Sequence, residues 1–317
     1  MTEALGKLTR DDEISNSMLA AAMGLSKWQT PNEVLKGCHR ARNGENIRSG
    51  TTGIQQVGNY LEKPLINLAK DRVGLLEMFD EINKPVRHKN IPLNGSLDGI
   101  AVADNILVKP DVGKGFYLPE DREILLNGKG VVEIKVTSVF PEDVPVDYRG
   151  VIQLKASMAC TEFDWGMLCI LYGTDYRIFF YKRDIAWEES VLVPFVQDFD
   201  RRIENCEYYD PFNTNDAKGM YLLDDETVVE LPESAKELIE LIQVSEKNIK
   251  SIEETVDQSK TALMNMMKSA AVGLVDDYQV NWKTVNVKAK EEHTKIVPAK
   301  EASTYRRFSI RKQRKKS

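Results

Sequence analysis

Glu133 and Lys135 lie two positions apart inside Val131-Val132-Glu133-Ile134-Lys135-Val136, an apolar run with the composition of a buried strand. Side chains two apart on a strand leave the same face, so the carboxylate and the ammonium project together. Burying charge in such a run is costly unless the groups have partners or work to do. Asp98 supplies the complement: it follows Asn94-Gly95-Ser96-Leu97 and precedes the strand-like stretch Gly99-Ile100-Ala101-Val102. With Asp98 on a neighbouring strand, two carboxylates and one lysine reach one spot. Two carboxylates suit a hard divalent cation, magnesium or manganese, with water and phosphate oxygens completing its shell. Such an ion lowers the pKa of bound water and offsets charge building on phosphorane oxygens, and the lysine would orient or deprotonate the attacking water or stabilise negative charge. The chemistry open to this set is metal-assisted hydrolysis of a phosphodiester. An E-x-K triplet alone carries little weight in a chain that is 29% charged. The plainer reading is an edge strand with one wet face.

Positioning these groups requires a sheet with helices around it, and the sequence supplies both. Thr30-Pro31-Asn32-Glu33 is a capping box with proline at the first helical position, and Val34 and Leu35 follow on its helix. Ser15 or Asn16 can cap an earlier helix carrying Met18, Leu19, Ala22 and Met23. A third helix is expected over about 52–70, with Val57, Leu61, Leu65 and Leu68 on one face and a bend or break at Pro64. Strand patterns follow at 85–88, 96–104, 131–137, 166–172 and 177–183, with a helix over 149–161 and a closing helix over 194–206. The fold class expected is α/β, a central sheet flanked by helices. Between Asp98 and Glu133, residues 109–130 contain Gly113, Gly115, Pro119 and Gly128 and read as a loop or hairpin, harmless to the site if it projects outward.

Residues 1–210 thus read as one α/β domain and 211–232 as a linker. Residues 233–272 hold no Gly or Pro, and apolar or small residues recur with 4–3 spacing from Leu238 through Ile242, Ile249, Ile252, Val256 and Leu263 to Ala270. That is a coiled-coil-like heptad seam, expected as a long helix or a helical hairpin that pairs with itself, with another chain or with its own domain. Residues 273–317 read as a small strand-rich cap ending in the basic run Tyr305 to Lys316.

The net charge of -6 hides an asymmetry: residues 1–230 carry -11 and residues 231–317 carry +5. A basic tail suits nucleic-acid phosphates or simply solvation. Four dispersed cysteines without a CxxC pair, and three scattered histidines, argue against a zinc ribbon, an iron–sulfur cluster and a disulfide framework. No run of about 18 apolar residues is present, which excludes a spanning helix. The first residues lack the apolar core of a secretory signal, so the chain is expected in the cytoplasm.

Taken in order, these landmarks resemble the PD-(D/E)xK nuclease superfamily, within it the YqaJ-type viral recombinases and lambda-type alkaline exonucleases. The motifs that carry the resemblance are the segment Arg10 to Ser17, then Ala20 to Pro31, Gly58-Asn59-Tyr60-Leu61-Glu62, Leu97-Asp98-Gly99, Val132-Glu133-Ile134-Lys135, and Tyr148 to Met158 leading into Trp165–Tyr172. They cover roughly residues 10–205. The resemblance implies a restriction-endonuclease-like mixed sheet, with Asp98 and Glu133 as metal-binding carboxylates, the backbone carbonyl of Ile134 as a further ligand and Lys135 as the catalytic lysine. Glu62 is similar to the helix glutamate that reaches the metal, and Gln153 to the glutamine that supports the lysine or the scissile phosphate. Arg10 and Ser17 match residues that grip a terminal 5′ phosphate, although Asp11 and Asp12 would oppose an anion there. Lys155 stands where a second glutamine is common. The 35-residue interval from Asp98 to Glu133 is longer than is typical, and the extension after 233 is absent from shorter members. Trp282-Lys283-Thr284 and the Tyr-Arg-Arg-Phe ending are similar to tails of some phage and prophage nucleases.

For function, the resemblance implies a magnesium- or manganese-dependent DNA nuclease in a bacterial host cell. It would be a 5′-to-3′ exonuclease on linear duplex ends, leaving a 3′ strand for a single-strand annealing protein, and a homo-oligomer is one possible state. An endonuclease of the same fold, and a non-catalytic DNA-binding or assembly protein, are the alternatives.

Overall fold

A computed structural model describes residues 9–47, 53–80, 82 and 84–285. Two compact units divide the chain, residues 1–220 and 221–317. The basic run from Tyr305 to Lys316 lies outside the described residues. Among those described, no helix is long and apolar enough to cross a membrane.

The first unit opens on a 3-10 turn, Asn16–Met18, running into the short helix α1 (Leu19–Ala22). Helix α2 (Pro31–Arg42) begins with the capping box in full. The Thr30 hydroxyl accepts from the Glu33 N–H, and the Glu33 carboxylate accepts from the Thr30 N–H at 2.9 Å. Helix α3 (Gly53–Val73) runs through Pro64 without a break, contrary to one expectation from sequence. Its buried face, Leu65, Ile66, Ala69 and Val73, gains enough from the sheet beneath to hold the helix together around one missing hydrogen bond.

Strands β1 (Glu77–Phe79), β2 (Val86–Arg87), β3 (Asn94–Gly95), β4 (Gly99–Val108), β5 (Phe116–Tyr117), β6 (Ile124–Thr137), β7 (Trp165–Tyr172) and β8 (Asp175–Lys182) follow. Six of them form a mixed sheet in the order β1-β4-β6-β7-β8-β5, while β2 and β3 pair separately. β6 runs antiparallel to β4 and parallel to β7. Of the two expectations for residues 109–130, a loop or a hairpin, the structure shows the hairpin, with β6 turning back antiparallel along β4. These residues lengthen β6 at its start, where it pairs along β4, and place β5 beside β8 at the far edge. The long interval between Asp98 and Glu133 is therefore absorbed into sheet. Gly130 is required here, because a Cβ would lie 2.4 Å from the Trp165 ring.

Alternation along β6 divides its two faces. Val132 and Ile134 pack with Met167 and Cys169 under α3, whereas Val131 packs with Leu168 and Ile170 under the helix α4 (Val151–Thr161). Helix α4 is buried on two sides: Leu154 and Met158 face the sheet, and Ile152 and Ala156 face an outer layer with Leu19, Val34 and Leu35. That double burial explains why it shows no polar stripe beyond half-buried Gln153 and Lys155. The short helix α5 (Ile185–Trp187) continues through a π-helical segment, Glu188–Leu192, into α6 (Val193–Asn205), which adds Val196, Phe199 and Ile203 to the outer layer. Helix α7 (Thr214–Met220) is tied to α2 by buried Asp216, whose carboxylate accepts from the Asn32 amide at 2.8 Å and from the Thr30 hydroxyl at 3.1 Å.

In the second unit, α8 (Ser234–Met267) is one continuous helix of 34 residues, not a hairpin. None of its residues is buried; Leu238 and Ile252 are both 62% exposed. Lys268 leaves the helix at φ 51°. Strands β9 (Val272–Val275) and β10 (Tyr278–Asn281) then form a hairpin around Asp276-Asp277, with Asp276 at φ 46° as tight two-residue turns require.

Candidate active site

Strand register sets the first two carboxylates together. Gly99 of β4 stands opposite Val132 of β6, so one more step along the chain brings Asp98 opposite Glu133. β4 stops pairing there, which leaves the β6 edge beyond Val132 open on that side. Asp98 fills the gap: its Oδ2 accepts the Ile134 N–H at 2.8 Å. In an extended strand the N–H and C=O of one residue face the same edge, so the Ile134 carbonyl looks toward the same opening.

Glu133 is fully buried, at 0% exposure. The edge-strand alternative, a charged residue on a wet face, does not describe it. One carboxylate oxygen, Oε1, accepts from Lys135 Nζ, and the other, Oε2, has no hydrogen-bond partner among the described residues. Lys135 Nζ also donates to Gln153 Oε1 at 3.1 Å, so β6 and α4 grip the ammonium between them. Gly150, at the start of α4 with φ 107°, presses against the stem of this lysine. A Cβ there would lie 3.3 Å from Lys135 Cε and 2.8 Å from Leu168 Cδ1.

Electrostatics ties Glu62 of α3 into the same group. Burial and the Asp98 charge push its carboxyl up to about 7, with Lys135 pulling the other way. Burial, then Asp98, raises Glu133 to about 8, again against the pull of Lys135. For Lys135, burial disfavours the charged form, but the carboxylates of Glu133, Asp98 and Glu62 outweigh it and hold the ammonium above the ordinary lysine range. Three carboxyl groups therefore share one field with a single cationic side chain.

The donor set suits a hard divalent cation. A buried, unpartnered carboxylate oxygen, mutually repelling carboxyl groups and an outward-facing carbonyl are the oxygen donors such an ion takes. Among the described residues, no three His, Cys, Asp or Glu side chains already stand close enough to form a finished cage. Lys135 holds one oxygen of Glu133, and Glu62 joins the group through its electrostatic coupling.

Asp98, Glu133, Lys135 and Gln153 are thus brought to one place, and Glu62 is coupled to them electrostatically. Arg10 and Ser17 pair with near neighbours in sequence. Arg10 forms a two-pronged ion pair with Asp12, at 2.9 and 2.6 Å, and reaches Glu13 at 3.2 Å. Ser17 is exposed, and its hydroxyl pairs with that of Ser15 at 3.2 Å. Lys155 turns to Glu120 at 2.7 Å. Gly150 was not singled out from sequence, although a glycine just before a helix, within reach of Gln153, was the available sign.

No family model matches the chain, and no curated protein matches it. Among solved structures, it is similar to LHK-Exo, an alkaline exonuclease from Laribacter hongkongensis, also solved in complex with dAMP. Identity is 17%, covering 62% of this chain and 92% of that one, with a TM-score of 0.43. A phage-related exonuclease from Haemophilus somnus 129PT is 13% identical, covering 62% of this chain and 96% of that one, with a TM-score of 0.40. SSO0001 is 13% identical over 64% of this chain and 81% of that one, with a TM-score of 0.33.

Proposed function

We propose that this chain is a divalent-metal-dependent DNA nuclease, a 5′-to-3′ exonuclease acting on linear duplex ends. The observation that carries the reading is Glu133. A fully buried carboxylate with one oxygen on a lysine and the other without a partner is costly unless a ligand completes it. Asp98, Glu133, Glu62 and the Ile134 carbonyl would hold magnesium or manganese. When bound, such a cation supplies Lewis-acid stabilisation of phosphate charge and a more acidic water.

The chain's own groups account for the rest. Asp98 accepts the Ile134 N–H and so fixes the end of β4 against β6. Lys135, held between Glu133 and Gln153, presents its remaining N–H donor capacity to the attacking water or to the scissile phosphate. Gln153 orients that lysine. Proximity of these groups, set by a rigid strand and a doubly buried helix, lowers the entropic cost of reaction.

DNA is the proposed substrate, a single-strand annealing protein the proposed partner, and the bacterial cytoplasm the proposed location. The test is cleavage of linear and circular duplex DNA, with magnesium and with chelator, comparing 5′-phosphorylated with 5′-hydroxyl ends. Magnesium-dependent loss of linear DNA only, faster from phosphorylated ends, is the expected result. Cutting of circles would make the enzyme an endonuclease, and no cutting would leave a binding module.

A further inference from the structure

Trp28 is 69% exposed, yet it is held in place. Its backbone N–H donates to the Ser26 hydroxyl at 3.2 Å, and the capping box of α2 begins two residues later. The Tyr148 ring meets it edge-on at a centroid distance of 5.1 Å, and Lys27 Nζ lies 4.7 Å from its ring centre. A tryptophan this exposed gains little from burial, so core packing does not account for its place. Tyr148 stands two residues before Gly150, the glycine pressed against the Lys135 stem, so its Cα is within about 7 Å of the Gly150 Cα by chain length alone. Through Tyr148, an aromatic face and a cation are therefore attached to the segment that leads into α4, the helix carrying Gln153.

We propose that Trp28, backed by Tyr148 and flanked by Lys27, is a stacking platform for a nucleobase of the strand entering the site, with Lys27 serving the adjoining phosphate. The proposal deepens the nuclease reading and rests on it for the choice of DNA as ligand. Every base has a face to stack, so the platform holds the strand without reading its sequence. Rigid attachment through Ser26 and α2 limits the ordering cost of binding.

The test is binding of a 5′-phosphorylated single-stranded oligodeoxynucleotide in chelator, where nothing is cut. Trp28→Ala is expected to weaken binding about tenfold or more, and Trp28→Phe to retain most of it. An abasic residue scanned from the 5′ end should, at one position, produce the same loss in the wild type and no further loss in Trp28→Ala. Binding should also quench tryptophan fluorescence in the wild type, and quench it less in Trp28→Phe. Equal affinity of Trp28→Ala and wild type, additive losses at every abasic position, or no binding by the wild type would overturn the platform. Failure of the nuclease reading would show separately, as absence of magnesium-dependent cleavage by the unmodified protein.

Discussion

Replacing Glu133 by glutamine should make the metal-free protein more stable while abolishing its chemistry. The side chain keeps its shape and loses its charge. In the folded chain this carboxyl titrates at about 8, against an ordinary 4.5. A folded-state value above the unfolded one contributes stability that is full below about pH 4.5 and is lost as pH rises through 8. One unit corresponds to about 1.4 kcal/mol, so ionised Glu133 opposes folding by about 4 kcal/mol near pH 8.5 and by under about 1 kcal/mol near pH 5. Thermal melts in chelator read this directly. Glu133→Gln should melt roughly 5–10 °C above wild type near pH 8.5 and close to it near pH 5. Adding magnesium should raise the wild-type melting temperature and leave the variant unmoved, because binding to the folded state stabilises in proportion to ligand over Kd. A variant that melts below wild type in chelator near pH 8.5, or gains equally from magnesium, would refute the claim that the buried carboxylate awaits a cation.

Further outcomes rest on the same geometry. Asp98→Ala removes the acceptor of the Ile134 N–H, and should abolish cleavage with a stability change within about 2 kcal/mol, read by denaturant titration. Lys135→Ala should lower turnover at least about a hundredfold while DNA binding persists, measured by single-turnover cleavage beside an equilibrium binding assay. Gly150→Ala places a Cβ against Leu168 and the lysine stem at a φ that L residues rarely adopt, so it should reduce both stability and turnover. Asn32→Ala breaks bonds to Asp216 and to the Tyr209 backbone and should destabilise the first unit by about 2–4 kcal/mol with little effect on metal affinity, read by melting and calorimetry.

Much of the framework was legible because local signals were strong. The Thr30–Glu33 box marked the start of α2 to the residue, and the run around Glu133 marked a strand whose period of two separated Val132 and Ile134 from Glu133 and Lys135. Three features were not legible. Pro64 argued for a bend or a break in α3, but the helix is unbroken there, with Leu65, Ile66 and Ala69 packed against the sheet. Glycines and a proline made 109–130 read as a loop or hairpin; the β4–β6 hairpin is there, but the length of that pairing and the place of β5 beside β8 depend on distant partners that no local window contains. At the site, the charge types and their spacing pointed to Asp98, Glu133 and Lys135. The burial that lifts Glu133 and Glu62, and the ion pairs that occupy Arg10, arise only from tertiary placement.

The most direct test of the central claim is anomalous scattering from manganese in crystals of the protein. The account predicts one peak at about 2.2 Å from carboxylate oxygens of both Asp98 and Glu133, the distance of a hard-cation bond to oxygen, and its loss in Glu133→Gln. A peak away from these two residues, or none at saturating manganese, would contradict it.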